Sequence, residues 1–576
     1  MSYANYEGKL NFKQKIWNGK SIEKTINYFF LYSLNCIFGF AEDTHTRYCK
    51  EKLRFSLRFT RLIVSLHSET NHKIIEMENR DIRKTGMIVA LLAALTMLPF
   101  LGATEFYTKG EPREAIVAVT MLKDNNWILP MNNGGDLAYK PPMLHWCIAL
   151  LYKVTGVMNE YLSRLPSALS YIALIIATFF FFARHSNREK GLYTALLALT
   201  AFELHRAGNV CRVDMMLTTF VVAAIYLYYN WFAKGCKGWP LWAVVCMSAA
   251  TLTKGPVGII LPTMVIGVYL LLYRLRFVPI LKVAICTLLA LILPALWYWA
   301  AYQSGGDTFL QLVMEENFGR FTGQMTYSSH EKPIWYNFLT LAWGWLPWTA
   351  ALLVSLFFLP KGTLSWQRTK AFIAKRQLPE PSVTSYSWLA FLLILLFYCI
   401  PTSKRSTYLL PCYPFMAFLL AKYLIYIIKE LNLSVKKIRW TFIGVIGIYM
   451  LVDGLIVPLS VKKKYDRPLA NYIQATFPNE EIYSYISDPF LRFFCTNYYL
   501  HDRILSFEKK GQTAEQRKNT KTPAAGILMI AEKEQEAFNK KYGNKYQLIP
   551  ISHTVNKMTE QKSRIFFYKF RERSTK

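Results

Sequence analysis

Several polar segments of this chain place lysines, arginines and carboxylates between long apolar blocks. The first, FYTKGEPREAIVAVTMLKDNNWILPMNNGGDLAYKPPMLHW at 106–146, carries Glu111, Arg113 and Lys140. The two prolines that follow Lys140 hold the backbone extended and fix the direction of its side chain. A lysine held in this way beside a bilayer suits a phosphate group. The alternative is a lysine that only extends its ammonium group towards the membrane surface.

Glu111 has two interpretations. Residues 112–122 have helical spacing, which predicts Glu111 at a helix start, where a carboxylate can cap backbone N–H groups. A carboxylate at the mouth of a membrane cavity is also costly to keep without a function. It could remove a proton from a reacting hydroxyl. A plain helix cap and a catalytic base therefore both stay open for Glu111.

Four further polar segments add candidate residues of the same kinds. They are AGNVCRVDMM with Asp214 (207–216), TLTKGPVG with Lys254 (251–258), ENFGRFTGQMTYSSHEKPIWY with Arg320, His330 and Trp335 (316–336), and PTSKRSTYLLP with Lys404 and Tyr408 (401–411). Three interpretations of Asp214 stay open: it is solvated, it is paired with a nearby arginine, or it is catalytic. Lys254 is predicted at a helix C-terminus, where the helix dipole stabilises a positive charge even without a ligand. His330 is a metal ligand, a proton carrier or an interfacial polar residue.

Together these segments predict a particular kind of substrate. Cations around a cavity at the membrane surface suggest a lipid phosphate, and carboxylates beside them suggest proton removal or the binding of sugar hydroxyls. A sugar linked to a lipid phosphate satisfies both requirements. The sequence contains no GxxxxGK[ST] motif and no DxD motif, so no nucleotide site is indicated.

The composition indicates a polytopic membrane protein. Of the 576 residues, 53% are hydrophobic and only 18% are charged, and the apolar residues occur in long blocks. The net charge of +31 is explained by basic cytoplasmic loops and by anionic lipid headgroups, and no nucleic-acid-binding motif is present. The ten cysteines show neither CxxC nor Cys/His metal spacing.

We predict eleven membrane spans, and a twelfth apolar piece at 143–156 that is too short to span and is an interfacial or re-entrant helix. The spans are 87–104, 165–183, 190–206, 212–232, 239–253, 257–273, 278–301, 338–360, 387–401, 407–428 and 440–460. Alternate short loops are rich in Lys and Arg, which predicts that they and the N-terminus are cytoplasmic. The periplasmic side then receives the two long loops 105–164 and 302–337, which hold most candidate residues.

Three regions are predicted along the chain. Residues 1–84 are a basic N-terminal extension, either a start assigned too early or a membrane-surface segment. Residues 85–461 form the membrane domain with its periplasmic loops. Residues 462–576 are polar, with β-like runs at 526–530 and 564–570, and predict a small periplasmic α/β domain.

The polar motifs occur in an order that resembles a known family. The order is an acidic-x-Arg start, W-I-x-P, G-x-x-x-x-K-P-P-x-x-x-W, R-L-P-S, V-D-M, T-K-G-P, H-x-x-P-x-W-Y and S-K-x-x-x-Y-x-x-P. This set resembles the bacterial branch of the dolichyl-phosphate-mannose protein mannosyltransferase superfamily. Within it, the chain is most similar to the lipid A 4-amino-4-deoxy-L-arabinose transferases, from about residue 87 to 460 and more weakly beyond.

The resemblance implies a C-type glycosyltransferase fold with about 11–13 transmembrane helices, juxtamembrane periplasmic helices and a periplasmic C-terminal domain. It implies a donor sugar on undecaprenyl phosphate and transfer with inversion at the anomeric carbon. The implied roles are donor-phosphate binding by Lys140, Arg320, Tyr408 and Lys404, catalysis by the carboxylates Glu111 and Asp214, cavity or substrate contacts by Arg113, Lys254 and Trp335, and divalent-metal binding (Zn or Mg) by His330.

Two positions depart from the family pattern. The family often has Asp-Glu before x-Arg, and this chain has Gly110 and Glu111. The residue before Lys-Pro-Pro is often Glu in the aminoarabinose transferases and is Tyr139 here. The second change removes an expected metal ligand and weakens the case for lipid A as the acceptor.

The predicted function is therefore an inner-membrane glycosyltransferase that moves a sugar from a polyprenyl phosphate to lipid A or another envelope glycan. We expect it to act as a monomer among membrane lipids, without nucleic acid. One alternative is a protein O-glycosyltransferase of the same fold. Another is a lipid or sugar transporter, which would carry internal repeats and ionisable residues near the span midpoints.

Overall fold

The computed structural model describes residues 77–108, 110–132, 136–319, 322, 331–358, 380–462, 466–485, 493–508, 522–554 and 564–573. The chain divides into two compact units, Met1–Lys84 and Thr85–Lys576. In the first unit, the described residues 77–84 are helical. The rest of the predicted N-terminal extension lies outside the described residues.

The helices of the second unit follow the apolar blocks, because in lipid each backbone N–H and C=O needs a partner within the protein. They include α1 (85–97), α2 (Gly110–Lys123), α3 (Met143–Thr155), α4 (Glu160–His185), α5 (Arg188–Leu199), α6 (Phe202–Gly208), α7 (Val213–Ala233), α8 (Leu241–Lys254), α9 (Val257–Tyr273), α10 (Phe277–Met314), α11 (Trp335–Gly344), α12 (Trp348–Phe357), α13 (Val383–Cys399), α14 (Tyr413–Glu430) and α15 (Val435–Leu451). Two short strands, β1 (Met131–Asn132) and β2 (Asp136–Leu137), pair antiparallel ahead of α3.

Among the described residues, five helical stretches are long and apolar enough to cross a membrane by length and composition. They are Glu160–His185, Val213–Ala233, Phe277–Asn317, Ser406–Glu430 and Val435–Val461. Helices α11 and α12 qualify together as one span bent by 93°, and α3, α8, α9 and α13 are shorter apolar helices. Within the described residues, each predicted span overlaps a helix or a helix pair, so the prediction of a polytopic helical protein is confirmed.

Two predicted spans are not single helices. The segment 190–206 is broken between α5 and α6, and the segment 338–360 is broken between α11 and α12. The two breaks lie against each other. Phe202 N donates to Leu346 O (3.2 Å), and Trp348 Nε1 donates to Thr200 Oγ1 (2.9 Å). One backbone pair and one side-chain pair thus join the two breaks, which helps both interruptions exist inside the bundle.

The C-terminal part is a small α/β domain, as the β-like runs predicted. Its elements are α16 (Arg467–Thr476), β3 (Ile482–Tyr485), α17 (Phe494–Tyr499), β4 (Ile504–Ser506), β5 (Ala525–Ala531), α18 (Gln535–Tyr542), β6 (Tyr546–Thr554) and β7 (Ile565–Glu572). The sheet order is β4-β3-β5-β7-β6, with β3 parallel to both neighbours and β7 antiparallel to both of its own. Alternate side chains of the strands pack on opposite faces, against α16 on one and α18 on the other.

The C-terminal domain packs directly on the segment that carries α2. Helix α17 contacts α2, and the Tyr498 ring meets the Phe106 ring edge to face at 4.9 Å. Tyr498 also shares a hydroxyl contact with Tyr152 of α3 (2.9 Å). Arg467 Nη2 lies 3.0 Å from Glu160 Oε1 at the start of α4. The domain therefore supports the helices that carry the candidate site.

Candidate functional site

Helix α2 starts at Gly110, two residues earlier than the spacing predicted, so Glu111 lies within its first turn. The Glu111 side chain is buried and accepts from Arg164 of α4, with Nε at 2.7 Å and Nη2 at 3.3 Å. It also accepts from the backbone N–H of Cys211 (3.1 Å). These donors lie outside α2, so Glu111 joins α2 to two neighbouring segments rather than capping its own helix.

Arg164 completes this buried ion pair. Its Nη1 donates to the carbonyl oxygens of Leu101 and Thr104, both at 2.9 Å. A buried charge is stable only when it is paired and its remaining hydrogen-bonding groups are satisfied. The Glu111–Arg164 pair meets this condition, and it fixes the end of the first membrane segment relative to α2.

One turn further along α2, Glu114 is the centre of a second charged group. Its Oε1 forms an ion pair with Lys140 and lies 3.3 Å from Arg113 Nη2. Its Oε2 lies 3.0 Å from Nε2 of His145, which is buried in α3. The Glu114 side chain is 5% exposed, whereas Lys140 is 29% and Arg113 is 44% exposed. The carboxylate is therefore enclosed, and both cations reach towards solvent.

The surroundings of this group shift the pKa values of its members. Burial disfavours ionised Glu114, but Lys140, the hydrogen bond from His145 and the charge of Arg113 outweigh it, so the pKa of Glu114 lies well below its usual range. Burial and the nearby charge of Arg113 lower the pKa of Lys140 to about 8, although Glu114 acts in the opposite direction. Any additional negative charge placed beside Lys140 would therefore stabilise its charged form.

A third charged group lies where α7 starts and α8 ends. Asp214 is buried in the first turn of α7 and forms an ion pair with Lys254, the last residue of α8. Helix α8 ends before Gly255, which has φ 83°. The ammonium group of Lys254 lies 4.4 Å from the centre of the Tyr408 ring, a cation–π contact. Three predicted site residues therefore meet at this point.

The loop before α7 connects the charged groups. Cys211 donates to Glu111, and the guanidinium group of Arg212 lies against Gly110, where a Cβ atom would overlap it. Arg212 also lies within electrostatic range of Asp214. The departure at position 110 thus has a structural consequence: the missing side chain leaves the space that the arginine fills.

The remaining predicted residues are distributed around this region. Lys404 is buried and donates to the carbonyl of Pro401, while Trp335, the first residue of α11, is 62% exposed. The loops that carry them lie side by side, because Lys332 N donates to Thr402 O (3.2 Å). The other two predicted residues, Arg320 and His330, lie outside the described residues.

The predicted divalent metal has no complete set of ligands among the residues that the structure describes, where no group of three or more His, Cys, Asp and Glu could hold an ion. The buried carboxylates there already have cationic partners: Glu111 has Arg164, and Glu114 has Lys140. Tyr139 packs near Trp297 in an apolar cluster. A metal at His330 therefore stays a prediction, and the chemistry below does not depend on it.

The sequence reasoning assigned no role to Glu114, His145 or Arg164, although each lies in a segment that it singled out. Glu114 is three residues after Glu111, a spacing that places both on neighbouring parts of one helix. His145 is the seventh residue of YKPPMLHW, and Arg164 is the first of R-L-P-S. The spacing was a usable signal, but the partner of each carboxylate depends on how the helices pack.

The fold and the charged groups define a polytopic membrane protein with cations at the ends of its spans and a small sheet domain beside them. Its structure is similar to the crystal structure of ArnT from Cupriavidus metallidurans bound to undecaprenyl phosphate. The TM-score is 0.63 at 16% identity, over 84% of this chain and 97% of that one. The predicted C-type glycosyltransferase fold is confirmed by this likeness.

The sequence comparisons agree with the fold. The family model for dolichyl-phosphate-mannose-protein mannosyltransferase matches residues 139–299. An uncharacterised protein of Aquifex aeolicus is 27% identical over 66% of this chain and 74% of its own length. The undecaprenyl phosphate-alpha-4-amino-4-deoxy-L-arabinose arabinosyl transferase of Shewanella sediminis is 27% identical over 68% of this chain and 69% of its own. The predicted resemblance to this glycosyltransferase superfamily, and within it to the aminoarabinose transferases, is confirmed.

Proposed function

We propose that this chain is an inner-membrane glycosyltransferase that moves a sugar from a polyprenyl phosphate to lipid A or another envelope glycan on the periplasmic face. The observation that carries the proposal is the set of partly exposed cations Lys140, Arg113 and Lys254, each fixed by a buried carboxylate. Such cations suit the phosphate of a membrane-embedded donor. The names of the Shewanella sediminis relative and of the ArnT complex support the same donor class.

The donor step requires stabilisation of the departing phosphate. The bond between the anomeric carbon of the sugar and the phosphate oxygen breaks, and its electron pair stays on the polyprenyl phosphate. Negative charge therefore grows on that oxygen, and cations held in advance lower the barrier. We assign this role to Lys140 and Arg113, with Arg320 and Tyr408 as further donor contacts. Lys404, which donates to Pro401, holds the loop that carries Tyr408.

The acceptor step requires a nucleophilic oxygen. A sugar hydroxyl needs a base to take its proton as the new glycosidic bond forms, whereas a lipid A phosphate is already anionic and needs none. Attack from the face opposite the departing phosphate inverts the anomeric carbon. Both predicted carboxylates are ion-paired, but Arg164, the partner of Glu111, is 3% exposed, whereas Lys254, the partner of Asp214, is 26% exposed and lies beside Tyr408. We therefore assign the base to Asp214, because its partner can turn away from it more readily.

A protein O-glycosyltransferase is the second candidate. The family model that matches residues 139–299 is described as a protein mannosyltransferase, so a polypeptide hydroxyl is a reasonable alternative acceptor. The donor step would be unchanged. A serine or threonine hydroxyl is neutral, so this acceptor would need a base as a sugar hydroxyl does, whereas a lipid A phosphate would not.

Deletion of the gene tests the proposal and separates the two acceptors. Lipid A, other envelope glycans and glycoproteins are compared by mass spectrometry after complementation with the wild-type gene or with Lys140→Ala. Loss of one sugar mass from lipid A or a glycan, restored only by the wild type, is the expected result. The same loss on a protein would move the acceptor to the second candidate. No change in any fraction, or full rescue by Lys140→Ala, would contradict the proposal.

A further inference from the structure

The two cations assigned to the donor phosphate, Lys140 and Arg113, already pair with a carboxylate. Glu114 Oε1 contacts both Lys140 and Arg113, the two partly exposed cations at this end of the site. The carboxylate itself is almost fully enclosed. A phosphate that reached Lys140 and Arg113 from the exposed side would therefore compete with Glu114 for the same donors.

The enclosed side of Glu114 is held separately. Its second oxygen pairs with Nε2 of His145, whose ring is 1% exposed on α3. Among the described residues, Nδ1 of His145 has no hydrogen-bond partner. His145 can thus keep Glu114 in place after Lys140 and Arg113 have turned to another anion, because its contact does not involve either cation.

We propose that Glu114 is a displaceable counter-ion: it occupies Lys140 and Arg113 when the donor site is empty, gives them up to the donor phosphate, and reclaims them when the polyprenyl phosphate product leaves. The inference rests on the proposed function, since it takes the donor phosphate to bind at Lys140. It adds a residue that determines how tightly the phosphate is held. Without such a counter-ion the product would leave slowly, because both cations would lose their partner on its departure.

The electrostatics of the cluster fit this exchange. Among the described residues, the charged and titratable groups around Glu114 are Arg113 on α2, Lys140 before α3, His145 on α3 and Cys211 in the loop before α7. Glu316, two residues after the end of α10, acts on both Lys140 and Arg113. With phosphate on the two cations, Glu114 would be a buried carboxylate beside an anion. Both burial and a like charge favour the protonated form. Donor binding should therefore be accompanied by proton uptake at Glu114.

The test uses undecaprenyl phosphate binding to the purified full chain at about pH 6, where Lys140 is protonated. We expect Glu114→Gln to bind about tenfold more tightly than the wild type, because a like charge near the phosphate is removed. We also expect it to turn over more slowly, because the product is retained. A merely structural role for Glu114 would instead weaken binding and slow turnover together, and that result would overturn the inference.

Glu508→Gln is the matched control. Glu508 is also buried and ion-paired, but both it and its partner Lys541 belong to the C-terminal domain. Its substitution should leave undecaprenyl phosphate affinity unchanged. Lys140→Ala distinguishes a wrong donor site from a wrong role for Glu114. Unchanged undecaprenyl phosphate binding by Lys140→Ala would overturn the proposed donor site itself. Weakened binding by Lys140→Ala, with no tighter binding by Glu114→Gln, would be consistent with the proposed function and would overturn only the counter-ion role.

A measurement on the wild type avoids reliance on the folding of Glu114→Gln. Calorimetry of the binding of a sugar-charged undecaprenyl phosphate, whose phosphodiester does not titrate near pH 6, reports the protons exchanged when it is repeated in buffers of different ionisation enthalpy. We expect net uptake at about pH 6, since Lys140 is already charged there and the change falls on Glu114. Binding without any proton uptake would contradict the exchange.

Discussion

At the scale of single residues, the two carboxylates of α2 have different surroundings. Glu111 is closed off by Arg164 and a backbone N–H, whereas Glu114 shares its oxygens between a buried histidine and two partly exposed cations. The sequence predicted Lys140 and Asp214 as site residues from their context. It could not separate Glu111 from Glu114, because the choice of partner is set by the packing of α2 on α4 and α3.

Glu111→Gln should destabilise the fold. The change leaves Arg164 as an uncompensated buried charge, and breaking such a pair typically costs about 3–5 kcal/mol. Thermal unfolding of the purified protein measures the effect. Glu160→Gln is the comparison. The partner of Glu160, Arg467, is 45% exposed, so this variant should lose much less stability. Equal unfolding temperatures for wild type and Glu111→Gln would contradict the structural role of this pair.

The pH dependence of donor use should reflect Lys140. Burial and Arg113 lower the pKa of Lys140 to about 8, so its positive charge is lost as the pH rises through that value. Donor KM should then increase above about pH 8, while Lys140→Arg should stay insensitive there because guanidinium remains charged. Donor KM measured across this range in both proteins checks the sign. A wild-type KM that is flat through the same range would argue against Lys140 as the phosphate ligand.

At the scale of elements, the apolar blocks predicted where helices form but not where they break. Span length and hydropathy are properties of the local sequence, so α4, α7 and α10 were predictable. The breaks between α5 and α6 and between α11 and α12 depend on hydrogen bonds between two distant segments. A pattern within one segment carries no information about such a partner.

Trp348→Phe tests the pairing of the two breaks. The substitution keeps one aromatic ring but removes the pyrrole part of the indole, with the Nε1–H that donates to Thr200 Oγ1 at 2.9 Å. The expected loss of stability is about 1 kcal/mol, the usual contribution of a neutral hydrogen bond. Trp343→Phe is a suitable comparison, because Trp343 lies in the same helix pair and is 62% exposed. A loss no greater for Trp348 than for Trp343 would contradict the pairing.

At the scale of the whole molecule, the C-terminal domain is part of the site's support. Its helix α17 contacts α2, Tyr498 contacts Tyr152, and Arg467 pairs with Glu160 and Glu105. The sequence predicted an α/β domain from its β-like runs. It could not predict that this domain packs on the candidate site, because these contacts join residues more than 300 positions apart.

Arg467→Ala should weaken this support. The guanidinium group pairs with two carboxylates and covers the Tyr499 ring at 4.7 Å, so its removal weakens the attachment of the domain to α4. We expect faster proteolysis of the C-terminal domain. We also expect reduced transfer, although the site cations Lys140, Arg113 and Lys254 are unchanged. Limited proteolysis and transfer assays on the same preparation measure both. Unchanged proteolysis and unchanged transfer would show that the domain does not depend on this contact.

Transfer from a polyprenyl phosphate held by Lys140 can be tested with purified components. The purified chain is mixed in vesicles with a sugar-charged undecaprenyl phosphate and lipid A, and both lipids are followed by mass spectrometry. We expect free undecaprenyl phosphate to appear together with one sugar mass on the acceptor, and neither to appear with Lys140→Ala. An intact donor with the folded wild-type protein and every acceptor class supplied, or equal product from Lys140→Ala, would contradict this transfer.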